Sequence, residues 1–181
     1  LLDHLALTFI ENGWSLKKLH RLIVTSQSYQ QDSKIESQTS KQFTRQRLEA
    51  EVIRDAALHA SGLLSKKMFG PPVRPPQPTG ISQIAYGSPK WNASEGQDRF
   101  RRTLYTYQKR TAPFAFLTTF DASSGEACLA KRDRSNTPLQ ALTLMNDPMF
   151  IEIATHYGQL LEKTEDTIEE KITLAFRHLL T

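Results

Sequence analysis

Six of the chain's nine prolines fall between residues 71 and 89, in Gly70-Pro-Pro-Val-Arg-Pro-Pro-Gln-Pro78 and its continuation. A proline ring removes a backbone N–H and collides with the preceding helical turn, so a run this dense is extended and partly polyproline-like. Residues 70–98 are therefore expected as a Pro-rich strap crossing the fold, with helices on either side of it. With 39% hydrophobic residues, the 181-residue chain holds apolar material for one compact core, and a single helical domain over 1–181 is the expectation.

The helices announce themselves by period. Leu1, Leu2, Leu5 and Phe9 sit at helical spacing up to the turn-forming pair Asn12-Gly13. Ser15 then caps a second helix that carries Leu16, Leu19 and Ile23 inward and Lys17, Lys18 and Arg21 outward. Residues 28–44, nearly all Ser, Gln, Thr and Lys, read as a polar loop. A long helix is expected from about Arg45 to Leu64, with Leu48, Val52, Ala56, Ala60 and Leu63 as its inward stripe and Glu49, Glu51, Arg54 and Asp55 outside it. Thr103 to Tyr107 is β-prone and predicts one short extended or strand segment. Thr137-Pro138-Leu139-Gln140 spells a capping box with proline at the first helical position, and Asp147-Pro148 repeats the device. The second of these launches a helix with Phe150, Ala154, Tyr157 and Leu161 on one face. A final helix carries Ile168, Ile172, Ala175, Phe176 and Leu179. The fold class is thus all-α or mostly α, with five to six helices, the strap and one extended segment. The first helix has no cap ahead of it and the last has no terminator, so the chain reads as the carboxy-terminal part of a larger protein.

Several chemistries are excluded by residue type. The single cysteine, Cys128, allows no intrachain disulfide and no thiolate pair for a metal, and it is expected as a small buried apolar side chain. His4, His20, His59, His156 and His178 are scattered without ligand spacing, so no metal site is expected. There is no Gly-x-Ser-x-Gly elbow, phosphate-cradling loop or metalloprotease motif. Carboxylate neighbours such as Glu49 with Glu51 read as solvated helix faces. No apolar run is long enough to span a membrane. A formal charge of +4 and a pI near 9.2 fall short of a nucleic-acid binder.

The blocks Gly13-Trp-Ser-Leu-Lys-Lys-Leu-His-Arg-Leu-Ile-Val-Thr-Ser26, Arg47-Leu-Glu-Ala-Glu-Val-Ile-Arg-Asp55, Arg110-Thr-Ala-Pro113, Arg134-Ser-Asn-Thr-Pro-Leu-Gln-Ala-Leu142 and Asn146-Asp-Pro148 resemble, in order, a planctomycete-type domain of unknown function, the PSD-one family. The resemblance spans nearly the whole chain. It implies a long, exported, extracytoplasmic protein with upstream cytochrome-c-like or related domains as partners. Any haem would then belong to such an upstream domain, because Cys-x-x-Cys-His does not occur here.

Charge is concentrated in one place. Residues 99–134 hold eight basic residues, Arg99, Arg101, Arg102, Lys109, Arg110, Lys131, Arg132 and Arg134, against Asp121, Glu126 and Asp133, a net +5 that exceeds the +4 of the whole chain. Tyr105, Tyr107, Phe114, Phe116 and Phe120 interleave with them. Guanidinium forks beside aromatic faces suit planar anions, so Arg99, Arg102, Arg110, Arg132, Arg134 and Asn136 are the candidate binding residues for an acidic or sulfated glycan. Against that stands a structural reading in which these arginines pair with nearby carboxylates and helix ends, and helix capping accounts for Asn136, Thr137, Pro138 and Asp147. The leading expectation is a non-catalytic module that packs against sister domains and engages an anionic polymer. The alternative is one wall of a composite active site, for glycan degradation or haem-linked redox chemistry, completed by upstream domains.

Overall fold

The computed structural model describes residues 1–30, 46–84, 90–164 and 167–180, and most of the expected 28–44 loop lies outside them. Seven α-helices occur among the described residues: α1 Leu2–Glu11, α2 Leu16–Val24, α3 Ala50–Ala60, α4 Ala115–Thr119, α5 Pro138–Asn146, α6 Pro148–Glu162 and α7 Ile168–Leu180. The mostly α class is as expected, and no sheet forms among the described residues. The contacts gather into two compact units, Leu1–Gln46 and Arg47–Thr181.

In the first unit Ser15 caps α2 by accepting from the Lys18 N–H. Gly13 and Trp14 make the turn with φ of 69° and 59°. The indole holds its strained conformation against the edge of Phe9, with ring centroids 5.3 Å apart. Two short helices cannot enclose a core, and neither α1 nor α2 has a fully buried residue. Leu19 is half-buried, while Leu16 and Ile23, expected inward, are exposed.

The core of the second unit is aromatic. Phe116 stands 4.6 Å from Phe120, 5.2 Å from Phe150 and 6.2 Å from Phe114 between ring centroids, and Leu58, Met149 and Ile153 close around them. Helix α3 is shorter than expected and turns a different face inward. Its buried residues are Ala50, Arg54 and Leu58, while Leu48 and Val52, read as core, are exposed. The start shifts because the Arg47 side chain bonds the Leu48 and Ser135 carbonyls and keeps residues before Ala50 extended. The face shifts because Arg54 is buried as a donor hub, which a hydrophobic period does not register.

Both capping predictions hold. Thr137 and Gln140 form the reciprocal capping box of α5, and the Asp147 carboxylate accepts from the Met149 N–H at the start of α6. On α6 the fully buried residues are Met149, Phe150 and Ile153, and Ala154 is exposed. The expected core face of α7 is open: Ile168, Ile172, Phe176 and Leu179 are all more than half exposed.

The strap is extended over its proline run, residues 71–78, as the prolines require, and then winds into short 3₁₀ helices at Ile81–Ile84 and Gly96–Phe100. Val73 pairs in parallel with Thr106, its N–H donating to the Tyr105 carbonyl at 2.8 Å and its carbonyl accepting from the Tyr107 N–H at 2.7 Å. Thr103–Tyr105 is a 3₁₀ turn where a strand is one of the expected forms. The Asp55 carboxylate takes both the N–H and the hydroxyl of Thr103, at 2.8 and 2.6 Å, and winds the chain there into a turn.

Candidate functional site

The segment 99–134 is held to the fold by ion pairs rather than opened toward a ligand. Arg99 pairs with Glu152 of α6 and lies over the Phe100 ring. Arg102 approaches Asp55 at 3.9 Å. Arg132 donates to both oxygens of Glu51, at 2.9 and 2.8 Å, and lies 3.5 Å from Glu49, which raises its pKa through the Glu51 hydrogen bonds first. Arg134 reaches Glu49 at 4.0 Å. Three of the candidate arginines are thus drawn to the acidic edge of α3 and its start, where Glu49, Glu51 and Asp55 stand. Arg110 is exposed with no carboxylate among the described residues, and Asn136 is exposed. The six do not converge. Phe114, Phe116 and Phe120 are 1%, 1% and 2% exposed, so they present no face to a ligand.

Asp121, Ser135, Arg47 and Gln140, none of them among the candidate binding residues, form a connected polar network. Helix α4 closes with Asp121 at φ 57°, its N–H bonded to the Thr118 carbonyl and the Ala122 N–H to the Leu117 carbonyl, the double closure of a left-handed cap. That geometry aims the Asp121 carboxylate at the Ser135 N–H (2.8 Å), the Ser135 hydroxyl (2.7 Å) and Arg47 Nη2 (2.6 Å). Gln140 Nε2 extends the network to Ser135 Oγ at 2.9 Å and the Thr119 carbonyl at 3.0 Å. An aspartate tolerates left-handed backbone, which is the one sequence signal that marks this position. The Ser135 hydrogen bonds, then Arg47, hold the Asp121 carboxyl below its usual range. A carboxyl whose folded pKa is depressed contributes stability that is present above the unfolded value, 3.8, and is lost as pH falls below it. Asp121→Asn keeps the backbone preference and removes the charge. It is expected to flatten the acid limb of the stability–pH curve, measured by urea unfolding from pH 7 to 3. An unchanged acid limb would show that this network does not sense protonation.

One large opening of the second unit is apolar. Pro78 and Ile81 of the strap, Pro113 and Phe116 about α4, and Leu139 and Leu142 of α5 line a cleft of about 830 Å³. Asp147 lies at its edge, 4% exposed, and burial pushes its carboxyl upward although the Met149 and Phe150 N–H groups oppose the shift. Three blocks that carry the family resemblance meet at this cleft, through Thr111 to Pro113, Leu139 with Leu142, and Asn146 with Asp147.

Elsewhere, Cys128 is exposed, where a buried residue is expected, because it sits in the irregular chain between α4 and α5. His156 Nδ1 bonds the Ser61 carbonyl at 2.7 Å and His178 Nδ1 the Tyr157 hydroxyl at 3.2 Å, so both serve packing. Among the described residues no group of three His, Cys, Asp or Glu could hold a metal ion, and no helix is long and apolar enough to cross a membrane.

The order of blocks and the helical unit they build define a family. The chain belongs to PSD1, described as a protein of unknown function (DUF1553), which matches residues 1–181. No curated protein and no solved structure matches it.

Proposed function

We propose that this chain is a non-catalytic helical module that docks against sister domains within an exported multidomain protein. The observation that carries this reading is the apolar surface left open on α5 and α7. Leu139, Leu142 and Met145 are 60%, 55% and 73% exposed beside the 830 Å³ cleft, and Phe176 on α7 is 61% exposed. Single exposed leucines need no explanation, but rows along two helices and a large apolar cleft suit a macromolecular contact. The extracytoplasmic setting rests on the family resemblance. An acidic or sulfated glycan held by the six sequence-chosen residues has less support, since four of the five arginines already face carboxylates.

Hydrogen exchange on this chain and on a longer polypeptide carrying the upstream domains tests the docking. Backbone amides of 139–146 and 168–180 are expected to gain protection in the longer form. Leu142→Asp with Phe176→Asp should abolish that gain while leaving the chain's own unfolding midpoint unchanged, because neither side chain is in the core. Equal protection in both forms would end the reading.

A composite active site is the second reading, favoured by Asp147 alone. Its carboxylate is already engaged by the backbone at the start of α6, which makes a capping role sufficient.

A further inference from the structure

Three other cations without acidic partners among the described residues gather at one recess. Arg74, Lys90 and Lys109 surround a small recess of about 80 Å³ walled by Trp91 and Tyr107, with Ser82 at its edge and Ala112 also lining it. None of the three cations pairs with a carboxylate among the described residues. We propose that this recess is a binding site for a tetrahedral oxyanion, carried on a sulfate or phosphate ester. The inference stands independently of the docking reading.

The walls are built before any ligand arrives. Arg74 is held along both edges of its backbone. Its N–H donates to Ser94 Oγ at 2.9 Å and its carbonyl accepts from the Ser94 N–H at 2.8 Å, while the neighbouring Val73 is laddered to Tyr105 and Tyr107. That pairing lays the guanidinium 4.2 Å from the centre of the Tyr107 ring and leaves its N–H edge without an acceptor among the described residues. Trp91 is fixed as well, its indole N–H donating to the Pro75 carbonyl at 2.7 Å and its ring stacked on Phe114 at 5.8 Å with an interplanar angle of 9°. The two lysines are exposed and can close over the recess.

Size and charge select the ligand class. The recess is small, about 80 Å³, which suits a compact oxyanion such as a sulfate or phosphate head group. One rigid guanidinium with two exposed ammonium groups supplies charge-assisted donors from several directions, and no acid is among the described residues that line the recess. The same asymmetry is missing at Arg99, Arg102, Arg132 and Arg134, which the fold neutralises.

The test uses the full chain with Trp14→Phe, so that Trp91 is the remaining tryptophan, titrated with inorganic sulfate and inorganic phosphate at constant ionic strength. A saturable change in Trp91 fluorescence that chloride does not reproduce is expected. Lys90→Gln and Lys109→Gln should each weaken it by about tenfold, the loss of roughly one charge-assisted hydrogen bond. Both lysines are exposed, so their variants should keep the parent's unfolding midpoint, and this protects the test should Arg74→Gln fail to fold. Methyl sulfate and methyl phosphate then separate the two ester sources, and saturable binding of either supports the site. Identical responses to chloride and the oxyanions, or unchanged affinity in both lysine variants, would overturn it.

Discussion

Arg54→Ala is expected to lower the stability of the second unit by about 3–5 kcal/mol, read as a fall in its urea midpoint and a thermal midpoint lower by about 10 °C or more. The side chain is 0% exposed, and its donors reach four acceptors, three within residues 99–103 and one on α6. Nη1 bonds the Arg101 carbonyl at 2.8 Å and Thr103 Oγ1 at 3.1 Å, Nη2 the Arg99 carbonyl at 2.9 Å, and Nε the Met149 sulfur at 3.1 Å. Truncation leaves those carbonyls buried without donors and opens a void under α3 at once. Burial lowers the Arg54 pKa to about 10, opposed by Asp55 and Asp147, so the group is still charged at neutral pH. For a base whose folded pKa lies below its unfolded value, the native state binds fewer protons than the unfolded one between the two values. This group's contribution to stability therefore rises with pH across that window and is constant below it. Arg54→Met refills most of the volume yet restores no donor, and it should fall between Arg54→Ala and the parent. A methionine variant as stable as the parent would show that these hydrogen bonds add nothing net.

Arg54 also marks where the sequence could be read and where it could not. Element types and starts were legible when chemistry was local. Ser15, Thr137 with Gln140, and Asp147-Pro148 cap α2, α5 and α6 as their residue types require, and the proline run is extended. Facing was not legible, because a hydrophobic period counts arginine as outward. In α3 the residue at the centre of the inward face is the arginine itself, and Leu48 and Val52 are left in solvent. The candidate site shows the same limit. A cluster of cations along the sequence says nothing of whether carboxylates from another helix meet it, and Glu49 and Glu51 meet Arg132 from more than 80 residues away. Conversely, Arg74 and Lys109 are far apart in sequence and share a recess only because Val73 is laddered to Tyr105 and Tyr107.

Two phenylalanines, Phe116 of α4 and Phe176 of α7, should behave oppositely. Phe116→Ala is expected to cost about 3–5 kcal/mol, since it removes the ring that joins Phe114, Phe120 and Phe150 and leaves a cavity at the floor of the cleft. Phe116→Leu, which keeps part of that volume, should recover a share of the loss. Phe176→Ala is expected to change the stability of this chain by no more than about 0.5 kcal/mol, because a ring already 61% exposed loses little burial. Guanidinium denaturation of the three variants, with equal m-values as the check on the unfolded state, decides the matter. A large cost at Phe176 in the isolated chain would mean that α7 is already packed through that face, and the docking surface would lose its main side chain. A small cost in the isolated chain that grows once upstream domains are present places the burial of Phe176 in the contact between domains. Its hydrophobic period would then have been written for a neighbour rather than for this core.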